Sequence, residues 1–253
     1  MNQLLSSLKE NLTFVLVCIL VIVGLFIAAK LFERSFKDSV KKVSISKYAA
    51  YIAMFSALSG VLMTIEIPLF FAPSFYKIDL SEIPVLICTF YLGPVAGVAS
   101  ELLNVIIKLM IKGTSTAFVG DFANFCVGCA MVLPASIVYH IRKTKKNAVL
   151  GLVAGTLVMT VFGSMLNAVY LLPKFSQLFG MPLDAIVGIG TAVNARITSV
   201  STLVLYAVVP FNLLKGVVAS TLTLLLYKRV ENIIFKPKGE KRENTGKAGF
   251  SQP

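Results

Sequence analysis

Long apolar stretches recur along the chain and leave little of it suited to water. Residues 13–29, 48–65, 95–111, 122–139, 148–172 and 200–227 each run for about 17 residues or more with few charges, enough to cross a bilayer as helices. Residues 83–92 form a shorter apolar segment of the same kind, closed by Gly93 and Pro94, a tight-turn pair. The pattern predicts an all-α membrane protein. It divides into one extra N-terminal transmembrane helix over 1–32, a linker over 33–47, a six-helix transmembrane core over 48–230 and a polar tail over 231–253.

Composition supports that division: 57% of residues are hydrophobic and the mean hydropathy is +0.83. A net charge of +12 would suggest nucleic acid in a soluble protein, but here the basic residues gather just outside the apolar runs. Lys30, Arg34, Lys37, Lys41, Lys42 and Lys47 follow the first run, Arg142, Lys143, Lys145 and Lys146 follow 122–139, and the tail carries a third group. All three groups lie on the cytoplasmic side if the N-terminus is outside, so the charge reads as membrane topology and no nucleic-acid partner is expected. The first run precedes its positive charges and has no small-x-small cleavage pattern, so it reads as a retained span rather than a signal sequence. Cys18, Cys88, Cys126 and Cys129 all fall within apolar runs and read as packing residues. Without further Cys or His neighbours, Cys126 and Cys129 predict no metal site. His140, the only histidine, sits beside Arg142 at a span end and reads as interfacial.

The polar residues inside the runs carry the functional information, since each costs about 2–3 kcal/mol or more in mid-membrane unless it faces a cavity or a partner. Asn212 and Lys215 are three residues apart, on one face of the 200–227 helix, and Pro210 lacks the N–H that would bond back to Tyr206. At about 1.5 Å per residue, Lys215 lies roughly 18 Å from the cytoplasmic end at Tyr227 and Asn212 roughly 22 Å. Asn167 lies roughly 28 Å from the cytoplasmic start of 148–172, so the two asparagines both fall in the outer half. Glu101, Asn104 and Lys108 mark a polar stripe along 95–111.

The connections divide into turns and covers. Residues 66–82 are too apolar for an ordinary loop and too broken by Pro68 and Pro73 for a helix, which suits either a lid or an aromatic belt at the interface. Residues 113–120 form a polar outer turn, after which Asp121 is placed to cap the next helix. Residues 171–198, with Pro173 and Pro182, form a second outer connection with room for a short helix. On the first core span, Ala49, Ala53 and Ala57 recur every four residues and make a smooth face that another helix can approach closely. The chain has no phosphate-binding loop, because Gly246-Lys247 is followed by Ala248, and no catalytic set, so neither ATP use nor enzymatic activity is expected.

Six stretches together resemble the substrate-binding S component of energy-coupling factor (ECF) vitamin transporters, in particular its riboflavin-binding subfamily. They are residues 68–71 (PLFF), 78–84 (IDLSEIP), 93–97 (GPVAG), 120–125 (GDFANF), 166–167 with 171–173, and 210–216 (PFNLLKG). No one of them is specific alone, but their order along one six-span core is. The resemblance implies a multi-pass protein of a bacterial cell membrane whose six-helix S-component core starts, and whose C-terminus ends, on the cytoplasmic side. It implies that Asn167, Asn212 and Lys215 hydrogen-bond the ribityl hydroxyls of riboflavin, bound as substrate with no separate cofactor. It further implies that the 66–82 lid and the turn through Thr116 enclose the isoalloxazine ring. Phe70, Phe71, Phe75 and Tyr76 would supply the apolar cover, with Asp79 and Asn124 as further polar contacts. Ala49, Ala53 and Ala57 resemble the Ala-x-x-x-Ala face that S components present to a membrane T component, which works with two ATP-binding subunits. The extra helix and the long 171–198 connection depart from the family's pattern. Two other readings remain open: an S component for thiamine, biotin, folate or pantothenate, and a facilitator or structural membrane protein that works alone.

Overall fold

The computed structural model describes residues 2–36, 40, 43–73 and 75–230. The expected polar tail at 231–253 and part of the 33–47 linker lie outside these. Among the described residues the elements are α1 (Asn2–Ser35), α2 (Ile45–Met63), a two-stranded hairpin of β1 (Ile67–Pro68) and β2 (Lys77–Ile78), α3 (Glu82–Leu92), α4 (Pro94–Lys112) and α5 (Val119–Ile141). There follow α6 (Lys145–Leu166) with α7 (Leu172–Phe179), α8 (Leu183–Val193), and α9 (Val200–Leu203) with α10 (Val209–Val230). Among the described residues, six helical stretches are long and apolar enough to span a membrane: Leu12–Ser35, Ile45–Met63, Pro94–Lys112, Val119–Ile141, Lys145–Phe179 and Val200–Val230.

α3 is the axis of the bundle. Every one of its residues is buried, and α2, α4, α5 and α10 pack around it. At 11 residues it is only about 16 Å long, too short to span by itself, so its ends are finished by the hairpin on one side and Gly93 on the other. Gly93 has φ 103°, a left-handed conformation that favours glycine and turns the chain straight into α4, whose first residue is Pro94. α5 and α6 pack in close contact because Gly155 faces a carbonyl: a Cβ there would lie 2.4 Å from the Met131 oxygen. At the end of the bundle farther along the chain from the hairpin, the Phe90 and Tyr139 rings stack at 4.4 Å and the Tyr139 and Tyr227 hydroxyls meet at 3.1 Å. His140, expected at an interface, is instead fully buried, with Nδ1 2.9 Å from the Ser136 carbonyl oxygen one turn earlier.

α1 stands largely apart, with 6% of its spanning window buried. Ala29, Ile22, Leu25 and Phe26 pack against Val98, Val105 and Phe125, and Glu33 Oε2 accepts the Val95 N–H at 3.2 Å near the start of α4. Ala49, Ala53 and Ala57 of α2 lie on an exposed face, turned away from the bundle.

One helix continues where the sequence suggested a break, and another passes its proline inside the run expected to be helical. Residues expected to leave the membrane after 172 stay helical to Phe179, because a π-helical segment, Asn167–Leu171, precedes Pro173 and lets the proline enter as the first turn of α7. A second π segment, Val204–Val208, precedes Pro210 in the same way, with the Val209 N–H reaching the Val204 carbonyl. The sequence shows the missing donors; the structure absorbs them without a kinked stop.

Candidate functional site

The first π segment lines, through Asn167 and Leu171, a cavity of about 350 Å³, and the helix that follows the second reaches it with Phe211, Asn212 and Lys215; the volume is within the usual size range of small-molecule sites. The hairpin and the segment after it, α4, the 113–120 turn, α5, α7, α8 and α10 all contribute to its wall. Of the residues singled out in the sequence, Asp79, Tyr76, Thr116, Asn124, Asn167, Asn212 and Lys215 line it. Phe70 and Phe71 do not. Phe70, 92% exposed, sits at the hairpin tip with its ring edge-on to Phe71, while Phe71 packs with Leu69 on the cluster of Leu172, Ile186 and Ala207. The turn after Pro68 points these two rings outward and sideways, so the lid's aromatic contribution to the cavity wall comes from Phe75 and Tyr76.

The polar floor is built from distant parts of the chain. Lys215 Nζ lies 3.2 Å from Asp79 Oδ2 and 3.5 Å from Glu82 Oε1, all three groups being buried. Asp79 is fixed in turn, since its Oδ1 accepts the Ser81 N–H at 2.9 Å and also the Ser81 hydroxyl. Such an Asx turn leads directly into α3 and fixes the orientation of the carboxylate. Glu82 and Glu101, which the sequence did not assign to the site, stand with Lys215 as a second buried layer.

Asn167 and Asn212 differ in how they are satisfied. Asn167 Oδ1 accepts the Tyr76 hydroxyl at 2.9 Å and its Nδ2 donates to the Gly163 carbonyl at 2.8 Å. Burial pushes the Tyr76 phenol above its ordinary pKa, so it stays a donor. Asn212 Nδ2 is buried and donates to nothing among the described residues. Gly163 makes room for it, because a Cβ at that position would come within 3.1 Å of Nδ2. An unsatisfied buried amide on a cavity wall is a donor held ready for a ligand.

The far wall is the 113–120 turn. Asp121 is not the helix cap that its position suggested; α5 begins at Val119, and Asp121 is drawn to Lys108 at 2.5 Å and to the Thr114 hydroxyl at 2.6 Å. A buried ammonium is a stronger partner than the helix's own amides. Lys108 also donates to the Gly113 carbonyl at 3.1 Å, which ties the turn to α4. Thr116, on the cavity lining, accepts the Gly120 N–H at its Oγ1 at 3.0 Å.

The apolar wall includes residues that sequence reasoning passed over: Phe175 and Phe179 on α7, and Phe211 on α10, whose ring lies 5.3 Å from that of Tyr76. Phe175 and Phe179 are four apart, a helical spacing, but they follow a proline in the second outer connection, where the sequence leaves room for a short helix without placing it. Across the mouth, Glu66 bridges Lys77 at 2.7 Å and Lys112 at 2.8 Å, linking the hairpin to the end of α4. Partial burial alone would raise the Glu66 carboxyl, but the hydrogen bonds and charges of Lys112 and Lys77 outweigh it and hold its pKa below the ordinary value. The site can therefore enclose a flat apolar body and offer amide, hydroxyl and ammonium donors to an oxygen-rich tail.

A family model for the substrate-specific component of ECF transporters matches residues 47–227. The chain is 34% identical over 183 residues to the riboflavin transporter RibU of Staphylococcus aureus (strain TCH60), an alignment covering 72% of this chain and 89% of that one. It is 30% identical over 186 residues to the riboflavin transporter FmnP of Bacillus subtilis (strain 168), covering 73% and 92%. A solved structure described as the S component of a bacterial ECF transporter aligns with a TM-score of 0.59 at 32% identity, over 76% of this chain and all of the other.

Proposed function

The chain belongs to the family of ECF transporter substrate-specific components, and from that premise we propose that it is the riboflavin-binding subunit of a vitamin importer. Its relatives named as riboflavin transporters, and an enclosed cavity whose donors suit a polyol, support riboflavin uptake as its role. The observation that carries the site is Asn212 Nδ2, a buried amide donor on the cavity wall without a partner among the described residues. In this reading Asn212, Asn167 and Lys215 bind the ribityl hydroxyls, Asp79, Asn124 and Thr116 add polar contacts, and Tyr76 with Phe75, Phe175 and Phe211 covers the isoalloxazine ring. Riboflavin is the substrate, and no cofactor is required.

Uptake against a gradient needs energy that this chain has no phosphate-binding loop to supply. A membrane T component and two ATP-binding subunits would provide it, with the exposed Ala49, Ala53 and Ala57 face meeting the T component. The cavity would open outward in a bacterial cell membrane, with residues 48–230 as the binding domain, its start and the C-terminus cytoplasmic, and residues 1–32 as an added span.

The test is an absorption spectrum of the purified protein followed by titration of riboflavin fluorescence. Saturable, stoichiometric quenching is expected. Absence of quenching, with another vitamin binding instead, would move the assignment to a different S component. Accumulation of riboflavin by cells that have this chain but lack the T and ATP-binding subunits would replace the importer reading with that of a facilitator.

A further inference from the structure

Next to Lys215, but outside the cavity lining, three acceptor oxygens have no donor. Glu82 Oε2, Glu101 Oε1 and Asn104 Oδ1 are buried and accept no hydrogen bond among the described residues. The three residues are 3%, 1% and 1% exposed, so water does not stand in for the missing donors at their surfaces. Glu82 comes from the first turn of α3 and Glu101 from the middle of α4, and their carboxyl groups are close enough to repel each other when both are charged. Asn104 Nδ2 faces Glu101 Oε2 at 3.4 Å.

The surrounding elements supply little positive charge. α10 brings Lys215, which is already shared between Asp79 at 3.2 Å and Glu82 at 3.5 Å. α5 brings the Cys129 thiol and Gly128, where a Cβ would lie 2.7 Å from the Glu101 carboxyl carbon, so the backbone itself covers that side. The buried residues of α2 include no charged group. Lys108, the next cation along α4, is taken by Asp121. Three carboxyl groups thus gather around one ammonium. With all of them ionised, Glu101 would be a buried charge pressed against a second carboxylate with no counter-ion of its own.

We propose that Glu101 is a proton-binding site inside the bundle, its carboxyl held as the neutral acid and its O–H donated to the Glu82 carboxylate. One proton then accounts for the contact between two acids that would otherwise repel, and it gives one of the orphaned oxygens a donor. It also leaves Lys215 facing one surplus negative charge rather than two, so the ammonium can exchange a carboxylate contact for a ligand hydroxyl. The site does not depend on which vitamin the cavity takes.

The test is infrared difference spectroscopy of the ligand-free protein at neutral pH. A protonated-carboxyl C=O stretch is expected that shifts in D2O, disappears in Glu101→Gln and moves in frequency in Glu101→Asp. Glu101→Gln is the same size and keeps a donor toward Glu82, so it should remain monodisperse in detergent with a cooperative melt. If that variant does not fold, Glu101→Asp decides: an unmoved band overturns the proposal. A wild-type spectrum without the band overturns it too, as does a band of equal amplitude in Glu101→Gln. Thermal stability that rises with sodium in place of the band would identify a bound cation there and likewise reject the proton.

Discussion

Lys215 and Asp79 stand 136 positions apart in the chain, yet their side chains meet at 3.2 Å beneath the cavity. Lys215 is therefore both a ligand donor in the proposed function and the counter-ion of a buried acid group. Breaking a buried pair by removing one partner costs about 3–5 kcal/mol, because the charge left behind has no compensation. Lys215→Met is expected to lower thermal stability as well as riboflavin affinity. Asp79→Asn in the same background should recover part of the stability but not the affinity. A double mutant as unstable as the sum of the two singles would show that the pair is not coupled.

Asn212 and Asn167 separate the two roles. Asn212→Ala removes a donor that bonds to nothing among the described residues, so ligand-free stability should change little while riboflavin binding weakens by about 1 kcal/mol, roughly fivefold. Asn167→Ala breaks bonds to Tyr76 and Gly163, and both stability and binding should fall. Equal losses of ligand-free stability in the two variants, measured by thermal unfolding in detergent, would contradict this division.

Gly163→Ala tests the same amide from behind. The added Cβ, 3.1 Å from Asn212 Nδ2, would push the side chain toward the cavity or out of its rotamer. Riboflavin affinity should drop with Asn212 itself unaltered, and titration at wild-type affinity would show that the amide has slack to move.

Much of this site was legible in the sequence because polar residues in apolar runs are few and must be accounted for. Asn167, Asn212 and Lys215 announce themselves by depth, and the 66–82 segment by its prolines. The partners were not legible. Nothing local says that Lys215 meets Asp79 and Glu82, or that Lys108 takes Asp121 away from the start of α5, since ion pairing is settled by packing between distant segments. Pro173 was misleading for a related reason: a π turn costs no residue pattern of its own, so the continuation into α7 and the cavity-facing Phe175 and Phe179 stayed hidden. Phe70 and Phe71 stood out for their size, but the hairpin's geometry turns them away.

The mouth of the cavity should respond to pH through Glu66. Its folded-state pKa is below the ordinary value, so the bridges to Lys77 and Lys112 contribute fully above that ordinary value and are lost as pH falls through the lowered one. Each exposed bridge contributes less than about 1 kcal/mol, enough to change how long the hairpin stays closed but not the fold. Riboflavin dissociation should quicken as the carboxylate is protonated, and more so at low salt, where screening is weakest. Glu66→Gln should dissociate quickly at all pH values; a variant that keeps the wild-type pH profile would remove the triad from the gate.

The alanine face offers a test of assembly that is independent of the pocket. Ala53 is exposed on α2, and its neighbours on that face, Ala49 and Ala57, present nothing larger than a methyl group. Small residues let two helix backbones approach closely in a bilayer, where packing rather than water drives association. Ala53→Trp would hold a partner helix off by the thickness of an indole while leaving the cavity, on the other side of the bundle wall, intact. Riboflavin titration of the purified variant should match wild type, whereas uptake in cells that express the whole transporter should be lost. Uptake at the wild-type rate would place the partner surface elsewhere, and loss of binding together with uptake would mean that α2 had been disturbed rather than its contact.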